Sequence, residues 1–496
     1  MKLNFDIDFN HPIPFNNNVT YCVGTGRMGL ALHKEYWDQL AFVQKKIGFS
    51  YIRGHGLFCD DMAIYQEYKD KDGKIAVEYN FTYLDRVIDN YLELHIRPFL
   101  ELGFMPEKLA SGTQTQFYWK GNVTPPKEYD RWCGLVQATL THLISRYGEK
   151  EVLSWPIEVW NEPNLTGFWE NADMLEYCKL YSKTVQAIKE VHPALQVGGP
   201  AICGGNDEVW MRGFLTYCQE NQVPLDFITR HHYTIHQPVT CGHYEYAELE
   251  TSEYAFSTLQ RCREIIGEFK EYEKLPFYIT EFNTAYVPDC PLHDTNENAA
   301  YLARMLSEIG DYCTGYSYWT FGDVFEEKGV PYTPFYGGFG LVAVHSIPKP
   351  TFWIFQFYKD LTGTCVFRNE HSIICKNQEI ICGILWNLSC ETGSDLLALQ
   401  FNLQIPVGEY CYLQKTVDET TCNPRKTWHD MGEPFSLNSR QTELLRDSAR
   451  TFFQTEGKQV SSHSLTLDFS LDKNSVVYFE LFPIQKKSDR GFEYGR

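Results

Sequence analysis

No run of 18 consecutive apolar residues occurs in this 496-residue chain, so nothing in it reads as a membrane-spanning helix. The opening stretch "MKLNFDIDFNHPIPF" carries Asp6, Asp8 and Pro12 and lacks the continuous apolar segment of a secretory leader. Positive charge is scarce: 44 Lys and Arg against 64 Asp and Glu give a net charge of −20. That balance argues against nucleic acid or an anionic membrane as partner, because both need concentrated positive charge. CxxC pairs are missing too, since the closest of the 16 scattered cysteines, Cys375 and Cys382, are seven apart. The expectation is free thiols in a reducing cytoplasm. HExxH, GxSxG and a Walker lysine are absent, which leaves zinc proteolysis, serine hydrolysis and P-loop chemistry without support.

What is present is a folded chain, 43% hydrophobic and 22% charged, too long for one ordinary core. Aromatic residues make up 15%, and flat rings with polar tips suit sugar faces as well as cores. Up to about residue 325, short apolar runs alternate with amphipathic stretches. The expected strands are 20–23, 49–52, 95–100, 157–160, 195–198, 225–229, 277–280 and 316–319. Between them, patterns such as "FTYLDRVIDNYLEL" and "DMLEYCKLYSKTVQAIKEVH" repeat apolar residues at three and four. Eight such units predict a (β/α)8 barrel, expected over residues 14–345. From about residue 362, short strands joined by polar turns predict a C-terminal β-sandwich over 346–496. "RQTELLRDSARTFF" is expected to insert a helix, and residues 1–13 to pack against the sandwich.

Polar groups follow the barrel runs: Arg53 and His55, Asn161 and Glu162, the His231–His232–Tyr233 triplet, Glu281 and Asn283, and Asp323. In a barrel these ends converge on one face, where active sites lie. "GTGRMG" at Gly24–Gly29 matches the dinucleotide fingerprint, but the next strand ends in Arg53 where that fingerprint needs an acidic residue. Glycines shaping a loop at the barrel mouth is the better reading. The histidines of "HHY" could ligate a metal, but no carboxylate or cysteine cluster accompanies them, and hydrogen bonding to a substrate is favoured. No metal and no cofactor is expected.

Glu162 and Glu281 occupy equivalent places, after the fourth and seventh expected strands. Two facing carboxylates in unlike environments, one protonated and one ionised, are what glycoside hydrolysis requires. A lone glutamate in "WPIEVWNEPN" would read as a turn or cap; the pair changes that reading.

"YIRGHGLFCDDM", "IEVWNEPNL", "ITEFNTAYVPDCPLHDTNENAAYLA", "YSYWTFGDVFEEKGVP" and "YGGFGL", in that order, resemble glycoside hydrolase family 39, the β-xylosidase and α-L-iduronidase family. The resemblance implies Glu162 as general acid/base, Glu281 as nucleophile and Asn161 as a partner of the sugar 2-hydroxyl. It also implies sugar contacts from His55, His231, Tyr233, Trp319, Glu326 and Glu327, with Trp319 as a platform. Gly322 and Tyr336 depart from the serine and histidine of some relatives. The implied activity is a retaining, exo-acting β-xylosidase on short xylo-oligosaccharides. The alternatives are an arabinose-releasing enzyme, an α-L-iduronidase or a sugar-binding protein without catalysis. By analogy the family also implies a homo-oligomer, a tetramer in many relatives.

Overall fold

The computed structural model describes residues 2–484. Eight parallel strands close into a barrel: β1 (Cys22–Arg27), β2 (Tyr51–His55), β3 (Arg97–Leu102), β4 (Ile157–Val159), β5 (Val197–Ile202), β6 (Phe227–Tyr233), β7 (Phe277–Asn283) and β8 (Gly315–Tyr318). Closure is made by β8 pairing back onto β1 through Ser317 opposite Cys22. These strands are buried along nearly their whole length, with helices outside and side chains within, which is why they read as runs rather than alternations.

The observed strands extend further toward the mouth than the sequence suggested, β6 reaching Tyr233 and β7 reaching Asn283. Arg53, His55, His231, Tyr233, Glu281 and Asn283 therefore lie on strands, not after them. The polar residues look like strand ends in the sequence because the upper half of the barrel interior is charged. Gly24–Arg27 is likewise strand and not loop. A Cβ on Gly24 would sit 2.4 Å from the Trp319 ring, so the glycine is there for close approach and not for a phosphate.

The lower end of the barrel is closed by aromatics. Tyr21 stacks on Tyr278 with centroids 5.2 Å apart, and Phe99, Phe227 and Tyr51 complete the plug. Helices bury one stripe on the barrel's outside. Met174–Val191, for example, buries Tyr177, Tyr181, Thr184, Val185 and Ile188 at helical spacing. Asp173 caps it by accepting from the Glu176 N–H, a contact worth about 1 kcal/mol, and Pro193 follows its end. The helix Pro350–Asp360 packs Phe355 on Phe282 and Tyr318, so the eighth βα unit runs past residue 345.

The sandwich has a six-stranded antiparallel sheet. Its order is β9 (Thr364–Asn369), β10 (Ser372–Asn377), β11 (Ile380–Trp386), β16 (Val476–Pro483), β13 (Gly408–Val417) and β14 (Phe452–Val460). Facing it, β12 (Leu396–Gln404) pairs with β15 (Ser464–Asp472) on one side and with the N-terminal strand Lys2–Ile7 on the other. That last pairing is parallel, Phe5 opposite Phe401, so the sandwich is not wholly antiparallel as expected. β12 buries alternate residues, Leu397, Leu399, Phe401 and Leu403, as a half-buried strand must. The inserted helix is Ser439–Ser448; Phe452 and Phe453 belong to β14. Among the described residues, no helix is long and apolar enough to cross a membrane.

Candidate active site

Arg53 organises the barrel mouth. From the middle of β2, fully buried, its Nε donates to Glu158 Oε2 at 2.6 Å and its Nη1 to Glu281 Oε1 at 2.7 Å. Nη2 donates to Asn161 Oδ1 at 2.9 Å and lies 2.9 Å from Glu101 Oε2. A buried cation needs such partners, and a guanidinium can serve several oxygens at once. Thr280 Oγ1 donates to the other oxygen of Glu158 at 2.9 Å, and burial pushes the Glu158 carboxyl up. Glu101 in turn meets His55 Nδ1 at 2.7 Å.

The two carboxylates singled out in the sequence stand in unlike surroundings. Glu281, on β7, accepts from Arg53 through one oxygen and from the Tyr233 hydroxyl through the other, at 2.7 Å each. Burial and the charges of Glu281 and Glu162 hold the Tyr233 phenol well above its ordinary range, so it keeps the proton it donates. Glu162 stands just beyond β4, where the chain turns sharply. Trp160 and Glu162 hold φ of 72° and 43°, a left-handed backbone uncommon for residues with side chains, and the Glu162 N–H donates to the Ala201 carbonyl at 2.9 Å. Burial, then the Glu281 charge, raises the Glu162 carboxyl well above the carboxylate range. His231 Nδ1 lies 2.8 Å from Glu162 Oε1 and 3.4 Å from Glu281 Oε2, between the two. Burial, then Arg53, drives its pKa well down, so the imidazole is neutral.

One oxygen of each carboxylate and a His231 nitrogen lie within 4.8 Å of one another. This is also the one group of three among the described residues that could hold a metal ion. The Arg53 guanidinium on Glu281 already supplies the positive charge there and would repel a cation.

A cavity of about 700 Å³ opens above this layer. Of the residues expected at the site, His55, Asn161, Glu162, Tyr233, Glu281, Trp319 and Glu327 line it. Trp319 meets His55 with centroids 4.7 Å apart and forms one wall. Burial, then the charges of Glu281 and Glu162, pushes the Glu327 carboxyl well up. Glu326 turns elsewhere and accepts from Arg27 Nη2 at 2.7 Å. Sequence reasoning singled out neither Glu101 nor Glu158, and it placed Arg53 among the strand-end polar groups. The signal was a charge inside each of the apolar runs "YIRGH", "FLELGF" and "PIEVW": three buried charges whose only affordable arrangement is with one another.

The model of glycosyl hydrolases family 39 matches residues 5–461. The chain belongs to glycosyl hydrolase family 39. This family-39 chain is therefore a glycosidase. It is 48% identical over 480 residues to a β-xylosidase of Geobacillus stearothermophilus, covering 96% of this chain and 94% of the relative. A β-xylosidase of Caldicellulosiruptor saccharolyticus is 36% identical, covering 92% and 93% respectively. The crystal structure of a monomeric β-xylosidase from Caulobacter crescentus superposes with a TM-score of 0.87 at 30% identity, over 97% of this chain and all of the other.

Proposed function

We propose that this glycosidase is a retaining, exo-acting β-xylosidase that releases xylose from short xylo-oligosaccharides. The observation that carries the mechanism is the asymmetry of the carboxylate pair. Glu281 is met by two donors, Arg53 and Tyr233, whereas burial keeps Glu162 protonated. Glu281 attacks the anomeric carbon as the Glu162 proton passes to the departing oxygen. Glu162, now a carboxylate, takes a proton from water, and that water displaces Glu281 to restore the β configuration. An oxygen of each carboxyl lies within 4.8 Å of the other, so both groups reach one anomeric carbon; double displacement needs carboxyl groups roughly 5–5.5 Å apart. An inverting pair stands about 6.5–9.5 Å apart to admit a water. Asn161, its Oδ1 occupied by Arg53, offers its amide donors to the sugar 2-hydroxyl.

The named relatives support xylose as the released sugar. A uronate substrate would need a cation in the cavity; Lys328, the lysine that lines it, is paired with Glu245 and Asp289. A reducing compartment, the cytoplasm, is supported by 16 free cysteines, including Cys365 and Cys375, which face each other on β9 and β10.

The test is a panel of nitrophenyl glycosides with NMR of the first-formed sugar. Nitrophenyl β-xyloside should turn over fastest, with β-xylose appearing before mutarotation. Faster release from an arabinoside or iduronide overturns the sugar assignment, α-xylose first overturns double displacement, and no turnover at all leaves a binding protein.

A further inference from the structure

A second hollow, of about 320 Å³, adjoins the catalytic cavity, and Pro288, Glu327 and Lys328 line both. Those residues are the partition between them. Lys328 secures it: its Nζ reaches Glu245 Oε1 at 2.7 Å and Asp289 Oδ1 at 2.9 Å. It thereby ties the loop after β8 to the small hairpin after β6 and to the loop after β7. From the other side the Tyr118 N–H donates to the Glu327 carbonyl at 2.7 Å. Behind the partition the hollow presents rings and carboxylates, His243, Tyr332 and Tyr336 with Glu245 and Asp289, a lining chemically suited to a sugar. His243 and Tyr332 meet edge to face, centroids 5.7 Å apart.

The barrel's order fixes which side of the substrate this is. β4 and β8 are four places apart in a ring of eight strands, hence opposite. Glu162, just past β4, must face the leaving group that it protonates. The wall opposite it, built after β8, therefore faces the non-reducing end of the sugar being released. The hollow behind that wall lies where a preceding sugar unit would stand if the wall were open.

We propose that Lys328 is a latch that confines hydrolysis to the terminal sugar, and that the hollow behind it is a closed-off subsite for a second β-linked xylosyl unit. This rests on the β-xylosidase reading above. The ion pairs are partly exposed and screened by water, so they hold the partition closed without carrying the fold of the barrel.

Nitrophenyl β-xylobioside separates the two modes. An enzyme confined to the terminal sugar releases xylose first and nitrophenol only after a lag. Lys328→Ala should release xylobiose together with nitrophenol, without a lag, and raise the initial xylobiose-to-xylose ratio at least tenfold. The double variant Glu245→Gln, Asp289→Asn keeps the lysine but frees it; it should shift the ratio the same way and decides the matter if Lys328→Ala does not fold. Xylose first, with an unchanged lag, in a folded variant overturns the latch. Failure of the unaltered enzyme on nitrophenyl β-xyloside would instead overturn the proposed function.

Discussion

The barrel mouth and the sandwich core solve the same problem with opposite materials. In the sandwich, Leu397, Leu399, Phe401 and Leu403 of β12 meet Phe479 and Leu481 of β16, with apolar atoms on both faces of the interior. In the upper barrel, Arg53, Glu101, Glu158, His231 and Glu281 are buried just as fully. The apolar core is stabilised by area removed from water, and its strand register is set by the alternation of buried and outward residues. The charged one holds only if each group finds its partner, since a buried charge left alone costs several kcal/mol. The difference teaches where function resides: the region that is costly to fold is the one that carries the chemistry.

The sharpest break in this comparison comes from the carboxylates themselves. Glu281→Gly should lower kcat by on the order of 10⁵ while the thermal transition stays cooperative. Azide should restore turnover and yield the xylosyl azide of inverted configuration; a retained azide would mean that Glu281 is misassigned. Glu162→Ala should cost about 10²–10⁴ on xylobiose and far less on a nitrophenyl xyloside, whose leaving group needs no proton. KM should fall with kcat on the activated substrate as the covalent intermediate accumulates. Equal losses on both substrates would remove the acid role.

Next in size, Arg53→Leu and Phe401→Ala set one core against the other. Each should cost about 3–5 kcal/mol, the first by stranding buried carboxylates, the second by opening a cavity. The costs should part with pH. Protonation near pH 4 relieves the stranded glutamates, so Arg53→Leu should be milder there than at pH 7, whereas Phe401→Ala should be indifferent. Denaturant unfolding at the two pH values measures both, and parallel behaviour would deny the distinction between the cores.

The sequence made the barrel legible because eight runs alternating with helical stripes admit few topologies. Glu162 and Glu281 stood out because each closes a run that should have stayed apolar. Strand ends were misjudged for the same reason: His231–Tyr233 and Glu281–Asn283 read as loop because polar residues rarely fill a strand interior. Residues 1–13 are expected on the sandwich, but the parallel pairing of Lys2–Ile7 with β12 is not, since no local pattern specifies a partner strand nearly 400 residues away. Glu326 and Glu327 are adjacent and alike in sequence; only the course of the loop decides that one faces the cavity and the other Arg27.

The smallest effect expected is a pH dependence of stability belonging to the barrel mouth alone. Burial raises the Glu162 and Glu158 carboxyls above their ordinary value of 4.5, so between that value and the raised one the folded state holds protons the unfolded chain has released. Their contribution is present below 4.5 and is lost as pH rises through the raised values. His231 works the other way. Its folded pKa lies well below 6.5, so the unfolded chain takes up a proton first and stability is lost as pH falls below 6.5. The two slopes oppose each other: the acidic limb belongs to His231 and the alkaline limb to the raised carboxyls, to which Glu327 and Asp323, the latter pushed up to about 7, add. A tenfold change in a group's proton affinity on folding amounts to about 1.4 kcal/mol. Glu162→Gln carries no titrating proton, so it should flatten the alkaline decline and leave the acidic one in place. Differential scanning calorimetry across pH 4–8 on both proteins checks this, and an unchanged alkaline limb in the variant would assign that limb to other groups.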